Sequence, residues 1–208
     1  IDEVAQKKVK IYLYYLQRQQ EIYALDFDDL ILKTVDIFKA YPEVLAKWQR
    51  RFSHILVDEF QDIDKTQYTL IRLLTGNDND LLVVGDPDQT IYTWRGADVN
   101  IIMHFEKDFP SSKTIILNQN YRSTDCILNG ANGLIKHNKN RIDKELFTED
   151  SSEVKITHYS AVADEYEAAW LAETILQLHR QGKAYKDMAV LYRSNYLSRS
   201  LEKGLRDA

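Results

Sequence analysis

Residues 54–64 read HILVDEFQDID. Ile55, Leu56 and Val57 form a short apolar run that ends abruptly in Asp58 and Glu59. An apolar run without alternation suits a parallel strand covered by helices on both faces. In open α/β sheets, ligands sit beyond the carboxyl ends of the strands. Two adjacent acids there can offer a hard carboxylate to a divalent cation and a base to a water. The same pair would also suit a helix N-terminus, whose dipole attracts acids. The strand before it, and Gln61 and Asp62 after it, favour the chemical reading.

Outward from this stretch, strands and helices alternate. On the N-terminal side, apolar positions over 2–20 recur at a helical period. Asp26 is placed to cap a helix with Asp29 in its first turn, and Pro42 begins another. On the C-terminal side, Asp64 and Gln67 have capping-box spacing for a helix to Leu74. A turn at 75–80 leads to a second apolar strand, 81–84. Further expectations are a helix over 98–106, a strand over 114–117, and a helix capped by Ser123 running to Lys136. A polar connector (138–152), a strand (154–159), a helix (163–181) and a strand (188–192) follow. This order predicts an α/β protein with mainly parallel pairing.

Composition narrows the class. Hydrophobic residues make up 44% and charged residues 28% of the 208, as in ordinary globular chains. No apolar run is long enough to span a bilayer, and no secretory signal opens the chain. The lone cysteine, Cys126, excludes an internal disulfide and fits a reducing, cytoplasmic setting. A net charge of −5 argues against gripping nucleic acid by bulk charge, but leaves room for a local groove.

Three polar clusters fall at predicted strand ends: 58–62, 85–95 and 118–123. In the second, Gly85 permits a tight turn, and Asp86 and Asp88 are turn formers or organisers of water and Mg²⁺. Gln89 can donate a hydrogen bond to a terminal phosphate while accepting another. Tyr92, Trp94 and Arg95 follow within four residues. Aromatics in a polar loop can stack on nucleic-acid bases of any kind, though a tryptophan is often core. Arg95 can pair with a DNA phosphate or with an acid of the first cluster. In the third, Arg122 lies beside Ser123, where a guanidinium can stabilise a transferred phosphoryl group or simply form a surface ion pair.

Together these clusters resemble the UvrD/Rep/PcrA group of superfamily 1 DNA helicases. VDEFQD (57–62) resembles that family's Walker B motif, VGDPDQTIYTWRGAD (84–98) its motif III, and QNYRS (119–123) its motif IV. AVLYRSNYLSRSLE (189–202) resembles the later segment IVa, and LDFDDLI (25–31) the return from inserted lobe 1B into lobe 1A. Pro87 stands where alanine is more usual, and Thr93 where arginine often occurs, which would weaken one DNA contact.

The resemblance implies a P-loop NTPase (RecA-like) α/β fold in two partial lobes. Residues 1–22 would close lobe 1B, 23–117 would form the later part of lobe 1A, and 118–208 the first part of lobe 2A. It implies ATP and Mg²⁺ as cofactors and single-stranded or partly duplex DNA as partner, with no membrane. Asp58 would bind Mg²⁺ and Glu59 would act as general base. Gln89 would sense the γ-phosphate, Tyr121 would stack on adenine, and Arg122 would reach the γ-phosphate. Tyr92 and Trp94 would face single-stranded DNA, with Arg95 linking the DNA and ATP sites. Arg193, Asn195 and Arg199 would contact the DNA backbone. The family's phosphate loop is absent, since no GK[ST] occurs, and motifs V and VI are also missing. The expectation is therefore an inactive middle piece of a 3′-to-5′ helicase. Alternatives are the helicase part of an AddA-like helicase–nuclease, or a truncated non-enzymatic DNA- or partner-binding module.

Overall fold

A computed structural model describes residues 2–139 and 141–208. The chain divides into two compact units, 1–151 and 152–208.

The first unit opens with helix α1 (Glu3–Ile22), capped by Asp2 and ended by Tyr23 in the left-handed region. Helix α2 (Phe27–Ala40) starts in a full capping box: Asp29 N–H donates to Asp26, and Asp26 N–H donates back to Asp29. Helix α3 (Pro42–Arg51) begins on its proline, where the missing N–H costs nothing. Strand β1 (His54–Val57) follows, then the single turn Phe60–Asp62. Helix α4 (Lys65–Leu74) is capped by Asp64 and Gln67 in a second reciprocal box. Strand β2 (Asp80–Val83) then pairs parallel with β1, Val57 opposite Val83.

Beyond β2 the chain makes short turns at Pro87–Gln89 and Thr93–Arg95. Two one-turn helices follow, α5 (Asn100–Met103) and α6 (Phe105–Asp108), and then α7 (Asp125–Ile135). The second unit packs helix α8 (Asp164–Arg180) against α9 (Ser198–Asp207). Their closest approach is at Gly204, where an added Cβ would lie 2.8 Å from the Ala168 Cβ. No described helix is long and apolar enough to cross a membrane.

Several expectations are corrected. The strands expected over 114–117, 154–159 and 188–192 do not form; those segments run without regular structure. A strand exists only when a neighbour receives its N–H and C=O groups. Among the described residues these segments have no such neighbour, and Leu117, Val154 and Leu191 stand exposed. A lone bridge pairs Gln119 with Phe147 just past the first of them. The strand pair is not covered on both faces either. Ile55, Val57, Leu81 and Val83 are half-buried, while Leu56 and Leu82 are exposed.

The helix expected over 98–106 starts at Asn100 and breaks at His104. Beside the break, the Phe105 ring packs edge-on to Phe60 at 5.5 Å. The last helix of the first unit has Thr124, not Ser123, at its N-cap position, and the Thr124 side chain makes no capping bond. The Asn120 carboxamide accepts the N–H groups of both Arg122 and Ser123, which holds Ser123 inside a turn.

Candidate functional site

Phe60 fixes the acidic turn. It is fully buried, edge-on to Tyr68 and Phe105. Its N–H donates to Val84 O, and Val84 N–H donates to Val57 O, so the ends of β1 and β2 are tied together. With Phe60 turned inward, Asp58 and Glu59 remain exposed at the carboxyl end of β1. Glu59 takes a left-handed backbone, φ 50° and ψ 41°, uncommon for a residue with a side chain. The Asp58 carboxylate accepts the Glu59 N–H at 2.9 Å.

Gln61 joins the two strand ends. Its side chain is almost wholly buried. Nε2 donates to Glu59 Oε2 at 2.7 Å, and Oε1 accepts the Asp86 N–H at 3.0 Å. Gly85 makes this possible: a Cβ there would lie 2.6 Å from Gln61 Oε1 and 3.0 Å from the Phe60 nitrogen. From Asp86 the chain of bonds continues, since Gln89 Nε2 donates to Asp86 Oδ2 at 2.7 Å. Thus Glu59, Gln61, Asp86 and Gln89 form one hydrogen-bonded series across both loops.

The connector supplies the rest. Lys144 bonds Asp86 and lies 3.6 Å from Asp88, while Arg141 sits 3.3 Å from Asp88 and donates to Lys144 O at 3.0 Å. Asp88 and Arg141 are close to buried, 6% and 9% exposed, while Lys144 and Asp86 are partly buried. Burial pushes the Asp86 carboxyl up. Hydrogen bonds from Lys144, Gln89 and the Asp88 N–H, with the Lys144 charge, outweigh it and hold Asp86 below the usual carboxylate range. Arg141 and Lys144 carried no signal in the sequence. Their partners lie 53 and 58 positions away, and a polar run reads as a loop.

The turn Thr93–Arg95 presents a different chemistry. Tyr92 and Trp94 are exposed, with ring centroids 6.3 Å apart. The Arg95 guanidinium lies over both, 5.8 Å from the Tyr92 ring and 4.9 Å from the Trp94 ring. Trp94 is therefore not core, and Arg95 pairs with rings instead of with Asp58 or Glu59.

Tyr121 and Arg122 are exposed on the loop shaped by Asn120. That loop is stapled to the connector, Asn120 N–H to Phe147 O at 2.7 Å and Phe147 N–H to Asn118 O at 3.0 Å. The Tyr121 hydroxyl donates to Gln119. Among the described residues the Arg122 guanidinium makes no hydrogen bond or ion pair, and nothing bonds it directly to Asp58, Glu59 or Gln89. The 118–122 and 85–89 loops meet through the same connector, at Phe147 and at Lys144. Arg193, Asn195 and Arg199 belong to the second unit and are exposed there, Arg199 on α9.

For a metal, the described residues hold no group of three or more carboxylate, histidine or cysteine ligands. Mg²⁺ commonly needs only one or two carboxylates, its other positions taken by water and phosphate. Exposed Asp58 has the hard oxygen such a site requires.

Comparison with known proteins adds the family. Residues 2–110 match the family model of the UvrD/REP helicase N-terminal domain, and residues 115–208 that of the UvrD-like helicase C-terminal domain. The chain is 48% identical to the ATP-dependent DNA helicase PcrA of Staphylococcus epidermidis over 198 residues, 95% of this chain and 27% of that protein. It is likewise 48% identical to the PcrA of Staphylococcus aureus over 201 residues, 97% of this chain and 28% of that one. The chain thus spans little more than a quarter of the length of these relatives. With both of its halves matched, the chain belongs to the UvrD/REP helicase family and shares its P-loop NTPase-like α/β class.

Proposed function

We propose that the protein containing this chain is an ATP-dependent DNA helicase that moves 3′ to 5′ along single-stranded DNA and unwinds duplex ahead of it. The observation that carries this reading is the hydrogen-bonded series Glu59–Gln61–Asp86–Gln89, which joins two polar loops at the carboxyl ends of parallel strands. That is where an α/β sheet binds its ligand. The relatives' name supports ATP and DNA as the substrates, and favours this reading over a helicase–nuclease or a non-enzymatic module.

In this reading Glu59 accepts the proton of the attacking water, helped by an orientation that Gln61 fixes. Asp58 holds Mg²⁺, which when bound neutralises charge on the phosphates. Gln89 reports the terminal phosphate, Tyr121 stacks on adenine, and Arg122 stabilises the transferred group. Tyr92 and Trp94 stack on bases, with Arg95 joining the DNA and nucleotide loops. Arg193, Asn195 and Arg199 hold the DNA backbone.

Strand displacement by the intact protein tests the reading. Partial duplexes with a 3′ or a 5′ single-stranded tail are mixed with enzyme and ATP. Unwinding of the 3′-tailed substrate alone, and only with ATP, is expected. Preference for the 5′ tail would overturn the polarity, and ATP-independent separation would overturn the motor.

A further inference from the structure

The connector segment has a part in the site that its polar sequence does not suggest. Arg141 and Lys144 project from it onto Asp86 and Asp88, and all four side chains are substantially buried. The acids belong to the portion matching the N-terminal domain, the cations to the portion matching the C-terminal one. Asp86 is the residue that also receives Gln89 Nε2, so the cation and the glutamine share one carboxylate.

We infer that Lys144, assisted by Arg141, is a positioning residue: an ionic clamp that fixes Asp86 and through it sets Gln89 for the terminal phosphate. What points to positioning is that Lys144 and Gln89 share the Asp86 carboxylate, so a change at the cation is felt directly by the glutamine. Lys144 reaches both Asp86 Oδ1 and Asp88 Oδ2, so its ammonium can divide between them as the loop shifts. Among the described residues, removing it takes the cation off Asp86 and leaves Asp88 with Arg141 alone, and the Asp86–Gln89 bond is then free to rearrange. The clamp also carries the loop of Tyr121 and Arg122, which is stapled to the same connector at Phe147. One cationic segment thereby links the glutamine on one side to the arginine on the other.

The inference rests on the phosphate-sensing role of Gln89 proposed above, and a double-mutant cycle separates the two. DNA-stimulated ATP hydrolysis is measured in the intact protein carrying Lys144→Met, Gln89→Ala, both, or Lys144→Arg, with KM and kcat resolved and melting temperature recorded. Lys144→Met should lower kcat about tenfold or more, within the range of coupling shown by residues of one network. Single-strand affinity without nucleotide should stay unchanged. In the Gln89→Ala background the same change should have little further effect, and Lys144→Arg should restore most of the rate. A folded Lys144→Met protein with wild-type kcat overturns the clamp. So does an equal fractional loss in both backgrounds, which would mark a structural role. If Gln89→Ala alone is silent, the sensing role fails and the clamp with it. A large Gln89→Ala effect beside a silent Lys144→Met fails the clamp alone. Should Lys144→Met not fold, Arg141→Gln is scored by the same outcomes.

Discussion

Trp94 is 68% exposed, on a turn where the Arg95 guanidinium lies 4.9 Å from its ring. A large ring left in water contributes little to folding, and on a turn beside Tyr92 and Arg95 it is free to take a base. Base stacking on an aromatic is worth about 1–3 kcal/mol. Trp94→Ala in the intact protein should weaken single-strand binding by about that amount, read by fluorescence anisotropy with a labelled oligonucleotide. Its melting temperature should hardly move, since surface changes fall within about 0.5 kcal/mol. Unchanged affinity would remove Trp94 from the DNA site. Gln61 shows the other extreme at this scale. It is buried and serves both strand ends, and Gly85 leaves no room for any larger residue beside it.

At the scale of elements, what was legible in the sequence was what is local. The Asp26 cap and the capping box of Asp64 with Gln67 are local and form as their spacing predicts, and Asp29 turns the first of them into a second reciprocal box. Asp64→Ala should therefore cost about 1 kcal/mol, measurable by urea unfolding of the intact protein. A wild-type midpoint and slope would mean that the cap contributes nothing to α4. The two strands leading into 58–62 and 85–89 were legible for a related reason: their apolar runs stop where polar loops begin. The segments 114–117, 154–159 and 188–192 carry the same apolar signature and form no strand, because pairing depends on a neighbour that a local pattern does not encode. Likewise the cap expected at Ser123 falls one residue later, because the Asn120 side chain binds the Ser123 N–H. The clamp of Arg141 and Lys144 was illegible, its partners being more than fifty positions away.

Across the whole chain, the family models change between residues 110 and 115, whereas the compact units part between 151 and 152. The segment between these points, 115–151, matches the C-terminal domain yet packs in the first unit, where it carries Arg122 and the clamp. If Arg122 meets ATP there, its role resembles an arginine finger, worth about 10³–10⁵ in rate. Arg122→Ala in the intact protein should slow hydrolysis on that scale while sparing single-strand affinity measured without nucleotide. A loss of DNA affinity with normal hydrolysis would instead assign Arg122 to the DNA. The central claim is that the loops 58–62 and 85–89 are one hydrolytic site, with Glu59 as its base. Steady-state ATP hydrolysis by the intact protein, with and without single-stranded DNA, tests it most directly when wild type is compared with Glu59→Gln. Loss of a positioned base is worth about 10²–10⁴, so the account predicts a DNA-stimulated rate that falls by at least the lower figure while ATP still binds. A Glu59→Gln protein that hydrolyses ATP at the wild-type rate would contradict it.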